Sequence, residues 1–162
     1  MLDSIVELMV NALRSGNKVL TFGVGGNAAA AIHFAAELAG KYEHFEEPYS
    51  CVDLLNISTV TAIAQDFGFE HVFERQIKGL GKPGDVVLAF SISTGGEYLH
   101  KAIAQAELSK VWTVLLCGKV TKPFDAPHLL AYEIGNLNTP EIQEKQVVLI
   151  HQICAKVKAQ LV

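Results

Sequence analysis

The stretch from Lys18 to Ala28 reads Lys-Val-Leu-Thr-Phe-Gly-Val-Gly-Gly-Asn-Ala, a short apolar run that passes into a glycine-rich loop. An apolar run of this length, bounded by glycine, is typical of a buried strand. The alanine-rich residues 27–39 end at Gly40 and are typical of a helix that packs closely on its neighbour. Glycines between the two let the backbone approach a ligand, and the free N–H groups at a helix start attract an anion. The stretch therefore predicts a strand, a binding loop and a helix of an α/β protein.

The same alternation continues along the chain. Further strands are predicted at residues 50–55, 85–91, 112–117 and 129–134, and further helices at residues 3–15, 59–66, 71–80, 97–108 and 139–161. Near-continuous apolar strands separated by helices are typical of a parallel sheet covered on both faces. A chain of 162 residues fits one compact domain and is short for two. We therefore expect one three-layer α/β domain over residues 1–162.

Composition and charge exclude several classes of protein. Half of the residues are hydrophobic, 19% are charged and the net charge is −4, so disorder and direct nucleic-acid binding are not expected. No apolar stretch approaches the roughly 18 residues that span a bilayer, and no basic region precedes an apolar stretch at the N-terminus. The widely spaced Cys51, Cys117 and Cys154 are expected to be reduced thiols. These features predict a cytoplasmic protein without a membrane partner.

The predicted first and last helices are apolar around most of their circumference. The last helix carries Ile142, Val147, Val148, Leu149, Ile150, Ile153, Cys154 and Val157. A helix that is apolar nearly all round is buried, and a domain of this size rarely buries a terminal helix completely. We therefore expect an oligomer in which both helices pack between subunits.

A second loop of the same kind, Ser91-Ile-Ser-Thr-Gly-Gly96, also lies between a predicted strand and a predicted helix. Two such loops at the carboxyl ends of parallel strands indicate a phosphorylated or polyol ligand in the crevice above the sheet. The first loop also matches the Gly-x-Gly-x-x-Ala dinucleotide fingerprint, but the acid expected about 20 residues later is missing, since Asp53 falls further on. A tight turn without any ligand is the other interpretation of the first loop.

Four polar side chains on two predicted helices are candidates for chemistry. His33 and Glu37 are four residues apart and share one face of their helix. Gln143 and His151 lie about 12 Å apart along the last helix, which disfavours a simple chelate by that helix alone. Taken singly, His33 and Glu37 could be a surface pair, His151 a core histidine, and Asp66 a helix-end carboxylate.

Together these segments resemble the phosphoheptose isomerase branch of the SIS (sugar isomerase) domain family, from about Ser15 to the C-terminus. The resemblance is carried by residues 23–27 (Gly-Val-Gly-Gly-Asn), 33–40, 61–69 (Thr-Ala-Ile-Ala-Gln-Asp-Phe-Gly-Phe), 84–94 and 142–151. It implies a doubly wound, five-stranded parallel sheet of flavodoxin-like order. It also implies a homotetramer with active sites between subunits, where residues 27–39 and 139–161 would meet only across an interface.

The resemblance also implies the roles of individual residues. Glu37 and His151 would be the catalytic pair of an aldose–ketose isomerase acting on sedoheptulose 7-phosphate. His33, Glu37, Gln143 and His151 would hold zinc, weakly because an amide is an unusual zinc ligand. The implied substrate-binding residues are Val24, Gly25, Gly26, Asn27, Gln65, Asp66, Ser93, Thr94, Gly95, Tyr98 and Gln143.

Both loops differ from the sequences usual in the family, which are Gly-Asn-Gly-Gly-Ser for the first loop and Ser-Thr-Ser-Gly-Asn-Ser for the second. The second loop loses hydroxyl donors, and Glu97 brings a carboxylate to the helix start where a phosphate is expected. Three functions are consistent with this pattern. They are a sugar-phosphate isomerase of altered preference, a non-catalytic phosphosugar-binding protein comparable to the SIS-fold factor that binds the bacterial replication initiator, and a different enzyme acting on an unphosphorylated or nucleotide-linked sugar.

Overall fold

Five parallel strands and six helices make up the part of the chain that the computed structural model describes, residues 1–43 and 47–161. The strands are β1 (Val19–Phe22), β2 (Cys51–Asp53), β3 (Val86–Phe90), β4 (Trp112–Cys117) and β5 (Leu129–Glu133). The helices are α1 (Leu2–Arg14), α2 (Gly26–Ala39), α3 (Ile57–Phe67), α4 (Val72–Leu80), α5 (Glu97–Leu108) and α6 (Thr139–Leu161), and a 3₁₀ turn (Phe69–His71) precedes α4.

The strand order is β2-β1-β3-β4-β5, with every neighbouring pair parallel. The order reverses direction at the β1–β3 pair, where Val19 lies opposite Val86 and Phe22 opposite Ala89. Ligands of open α/β sheets bind at such a reversal, above the carboxyl ends of the strands. The predicted doubly wound, five-stranded sheet is confirmed, and both glycine loops leave it at this point.

Helices cover the two faces of the sheet, and strand residues alternate between them. Val19, Leu88 and Phe90 point into a core shared with α1, α2 and α6. Leu20 and Val87 point into a second core shared with α4 and α5. All five of these side chains are fully buried. This double burial explains why the strands read as continuous apolar runs.

The first and last helices bury most of their apolar residues inside their own chain. In α1, Ile5 and Met9 are fully buried, and in α6 so are Ile150 and Ile153, where all four belong to one core cluster. α6 packs against both α1 and α2. The apolar circumference of the two helices therefore does not by itself require a subunit interface, and the oligomer stays a prediction.

Helix α3 differs from the others because none of its residues is buried. The side chain of Ile57 is 73% exposed and that of Phe67 is 50% exposed.

In the described residues no helix combines the length and the apolar character needed to cross a bilayer.

Candidate active site

The first loop opens a crevice at the carboxyl ends of β1 and β3. Gly25 has a φ of 62°, and a methyl group at Gly23 would lie 2.4 Å from the backbone oxygen of Asn27. Gly25 must be glycine because of its backbone conformation, and Gly23 because the backbone of Asn27 approaches it closely. Gly25 and Gly26 are exposed, so the start of α2 is open to a ligand. Asn27 is only 4% exposed, and its Oδ1 has no hydrogen-bond partner among the described residues.

Helices α2 and α6 bring His33, Glu37 and His151 together. His33 Nε2 lies 3.0 Å from Glu37 Oε1, and the two imidazole rings contact edge to face with centroids 5.1 Å apart. One potential ligand atom of each side chain lies within 4.8 Å of those of the other two. All three side chains are half-buried, which leaves the cluster accessible from solvent.

This geometry corrects the expectation that the two helices meet only across a subunit interface. α2 and α6 pack on each other within one chain. The hydroxyl of Tyr42, beyond the end of α2, donates to the backbone oxygen of His151 at 3.3 Å. The cluster therefore forms within one chain, because α2 and α6 face each other and bring His151 close to His33 and Glu37.

Gln143 lies apart from this cluster, at the other end of α2. A methyl group added at Gly26 would lie 2.3 Å from Gln143 Nε2, so the amide packs directly on that glycine. Gly26 precedes His33 by seven residues, about 10 Å along the helix axis. The structure thus brings three of the four expected metal ligands together and places the fourth beside the first loop.

The three clustered side chains suit a divalent cation. Two imidazole nitrogens and a carboxylate oxygen within 4.8 Å of one another are the donor set that zinc sites commonly use, with open positions left for water or substrate. The residues present therefore fit the implied zinc through His33, Glu37 and His151.

The second loop is fixed by contacts within the chain. Thr94 is fully buried, and its hydroxyl oxygen accepts hydrogen bonds from the backbone N–H groups of Thr121 and Lys122, each at 2.8 Å. His100 Nε2 lies 2.7 Å from the carbonyl oxygen of Thr94, and its ring stacks on Phe124 with centroids 4.4 Å apart. The Thr94 hydroxyl could reach a substrate only after these bonds break.

Other residues of the second loop differ in their exposure. Ser93 and Gly95 are exposed, whereas Tyr98 lies half-buried with its ring against Gly96. Glu97 is 72% exposed and lies 3.6 Å from Lys101. Solvent and the Lys101 ammonium therefore both weaken the repulsion that this carboxylate would exert on a phosphate at the helix start.

Gln65 and Asp66 are exposed near the end of α3. In the described residues Asp66 does not join the His33–Glu37–His151 cluster. The assignment of Gln65 and Asp66 to substrate stays a prediction.

Two features of the site escaped the sequence reading. Gln146 of α6 is fully buried, and its amide nitrogen donates to the carbonyl oxygens of Ser91 and Leu116 at 3.2 and 3.1 Å. A cavity of about 160 Å³ beside the first loop is walled largely by apolar groups, among them Val24, Phe69 and Phe73. A glutamine inside a helical pattern carries no signal of such bonds, and the cavity walls come from distant segments.

The thiols take no evident part in this chemistry. None of the three cysteines, all within the described residues, forms a disulfide, and burial raises the pKa of Cys117 to about 11. Burial likewise raises the pKa of Cys51 far above its usual range. Neither of these groups is a nucleophile near neutral pH.

Comparison with known proteins shows what this chain is similar to. Residues 1–118 match the family model described as the SIS domain. The chain is 36% identical over 157 residues to the phosphoheptose isomerase of Campylobacter concisus, covering 96% of this chain and 83% of that protein.

Solved structures agree on the fold. A phosphoheptose isomerase from Neisseria gonorrhoeae is 32% identical with a TM-score of 0.86, and covers 98% of this chain and 85% of that one. A phosphoheptose isomerase from Francisella tularensis superposes with a TM-score of 0.92 at 24% identity over the same shares of the two chains, and supports the fold alone. The chain therefore belongs to the SIS domain family, in its phosphoheptose isomerase branch.

Proposed function

We propose that this protein is a sugar-phosphate aldose–ketose isomerase that acts on a heptose 7-phosphate. The observation that carries the proposal is the meeting of His33, Glu37 and His151 on two facing helices, one of which, α2, begins at the first glycine loop. Relatives at about 35% identity, such as the phosphoheptose isomerase of Bordetella avium, support the substrate class.

The reaction moves one proton between adjacent carbons. Glu37 removes a proton from C1 of the ketose, which leaves an enediol, and the same carboxyl returns the proton to C2 to give the aldose. His151 passes a proton between the oxygens on these carbons, because a neutral imidazole both donates and accepts. No atom is gained or lost, as an isomerisation requires.

A zinc ion held by His33, Glu37 and His151 would polarise the sugar carbonyl when bound. His33 holds Glu37 at 3.0 Å, so the carboxylate is oriented even before substrate arrives. Since a carboxylate that holds a metal tightly is a poor base, we propose that Glu37 would hold the ion only weakly.

The test is a coupled isomerase assay with sedoheptulose 7-phosphate. Glu37→Gln and His151→Asn should each lower kcat by about a hundredfold or more, the usual contribution of a general base or acid. The matched controls are Glu107→Gln and His128→Asn, because His128 Nδ1 and Glu107 Oε1 form another His–Glu pair at 2.6 Å. Wild-type protein that binds the sugar phosphate without turning it over would contradict the proposal.

Metal content tests the zinc site separately. After soaking in zinc and dialysis, the wild-type protein should retain metal that His33→Ala loses, while His128→Asn retains it. Equal metal in wild type and His33→Ala would exclude this site.

We further propose a homotetramer of single-domain subunits in the cytoplasm. The exposed apolar residues of α3, with Ile57 73% and Phe67 50% exposed, and Val148 of α6 at 54%, supply surface for an interface. The absence of a disulfide among the three described cysteines suits a reducing compartment. A single monomeric species in sedimentation at micromolar concentration would contradict the assembly.

A further inference from the structure

Tyr98 spans the two ends of the second loop. Its ring packs on Gly96, where an added methyl group would lie 2.5 Å from the ring atom Cε1. Its hydroxyl lies 3.5 Å from the hydroxyl of Ser91 at the other end of the loop. The ring therefore covers the space between Ser91 and Gly96.

Two aromatic neighbours hold the ring in this position. The rings of Phe69 and Phe73 each contact Tyr98 edge to face, with centroids 5.9 Å apart in both pairs. Phe73 is 1% exposed, so one side of this contact is anchored in the core. Edge-to-face pairs of this geometry are attractive beyond the area that they bury.

Hydrogen bonds hold the backbone of the second loop beneath the ring in place. The Ser91 hydroxyl donates to the carbonyl oxygen of Ser93 at 2.5 Å, and Ser91 is 2% exposed. The Thr94 hydroxyl and His100 fix the next part of the loop. An incoming anion would therefore have to move the tyrosine rather than the backbone.

We propose that Tyr98 is a specificity-determining residue: its ring fills the second loop, and a phosphate group binds there only after the ring moves away. The inference rests on the proposed function, a sugar-phosphate isomerase, and on the expectation from the sequence that the second loop binds the substrate phosphate. Each phosphosugar then binds with its intrinsic affinity reduced by the small fraction of molecules in which the ring is displaced. Sugars that lack a phosphate escape this reduction.

The opposite role of Tyr98 makes a different prediction. If the phenolic hydroxyl were itself a donor to phosphate, removing it would weaken binding, since a hydrogen bond to a charged group is stronger than a neutral one. A ring that merely fills space has no need of the hydroxyl. Tyr98→Phe and Tyr98→Ala separate the two roles.

The experiment is calorimetric titration of inorganic phosphate, and then of sedoheptulose 7-phosphate, into the full-length protein. Tyr98→Ala should bind phosphate about tenfold more tightly than wild type, because two aromatic contacts no longer have to break. Tyr98→Phe should stay within about twofold of wild type. Tyr132→Ala, which alters a half-buried tyrosine of β5, is the matched control and should change nothing.

Phe69→Ala is the second variant, in case Tyr98→Ala fails to fold. Phe69 is 43% exposed, so its removal is tolerable, and it should tighten phosphate binding in the same direction by a smaller factor. Weaker binding in both Tyr98 variants would show that the hydroxyl is a ligand and would overturn the proposal. Unchanged or undetectable phosphate binding in Tyr98→Ala and Phe69→Ala would overturn it too.

Phosphate binding is measured without turnover, so the two proposals can fail separately. An inactive wild type whose Tyr98→Ala variant binds phosphate more tightly would refute the isomerase function and leave the role of Tyr98 intact. An active wild type with phosphate binding unaffected by Tyr98→Ala would do the reverse.

Discussion

The two glycine loops occupy equivalent positions, each between a parallel strand and a helix, yet they differ in how they are filled. The first loop exposes Gly25 and Gly26 at the start of α2. The second is covered by the ring of Tyr98 and fixed by the buried hydroxyl of Thr94. One loop is open to a ligand, and the other is already occupied by its own chain.

The last helix holds each loop by a different glutamine. Gln143 is half-buried and packs on Gly26 of the first loop. Gln146 is fully buried and donates to Ser91 of the second. The difference shows that a glycine-rich motif predicts a backbone able to bind a ligand. Whether a ligand can reach that backbone depends on the side chains packed around it.

The largest expected effect comes from substituting one glycine in each of the two loops. Gly23→Ala should destabilise the protein by about 3 kcal/mol, because the new methyl group would meet the backbone oxygen of Asn27 at 2.4 Å. Gly95→Ala should change stability by less than about 0.5 kcal/mol, because nothing lies within 4 Å of its added methyl group. Urea denaturation measures both, and equal losses would contradict the close backbone approach assigned to Gly23 alone.

The next effect tests how the second loop is fixed. Thr94→Val keeps the shape of the side chain but leaves the N–H groups of Thr121 and Lys122 without their acceptor. We expect a loss of about 2 kcal/mol in the free energy of unfolding. Thr94→Ser should recover most of it, since the hydroxyl returns. If Thr94→Val were as stable as wild type, the loop would not depend on this contact.

The sequence predicted most of the fold, and the reason is visible in the strands. Leu88 and Ala89 face opposite cores and are both fully buried. Because both faces of the sheet are buried, each strand appears in the sequence as a continuous apolar run. α5 and α6 begin and end where the sequence placed them. Apolar periodicity is a local signal, and the layers of the sheet follow from it.

The three residues that cluster in the candidate site were named in advance, but their geometry was not. The sequence identified His33, Glu37 and His151, yet it placed the two helices across a subunit interface. The distance between α2 and α6 depends on how both pack on the sheet, and no spacing along one helix reports it. The inward position of Tyr98 escaped the sequence for the same reason, because Phe69 and Phe73, which hold it, come from another segment.

A smaller effect tests the tie between α6 and the second loop. Gln146→Met keeps the length of the side chain and leaves the carbonyl oxygen of Ser91 without the amide donor. We expect a loss of about 1 kcal/mol in the free energy of unfolding, less than for Thr94→Val because Met also removes the buried amide oxygen Oε1 of Gln146. The Oε1 of Gln146 has no hydrogen-bond partner in the described residues. Gln143→Met, on the half-buried side chain that packs on the first loop, should cost less, as thermal unfolding of the two variants will show.

The smallest effect concerns Glu97, whose carboxylate stands at the start of α5. Its side chain is 72% exposed and lies 3.6 Å from Lys101, so solvent and a neighbouring cation both weaken its field at the loop. Glu97→Gln should therefore tighten phosphate binding by less than about twofold at physiological salt, far below the effect of Tyr98→Ala. The change should grow slightly at low ionic strength, where screening is weaker. Calorimetry at two salt concentrations measures this, with Glu107→Gln as the control carboxylate. A tenfold tightening by Glu97→Gln would mean that charge, rather than the tyrosine ring, limits access to the second loop.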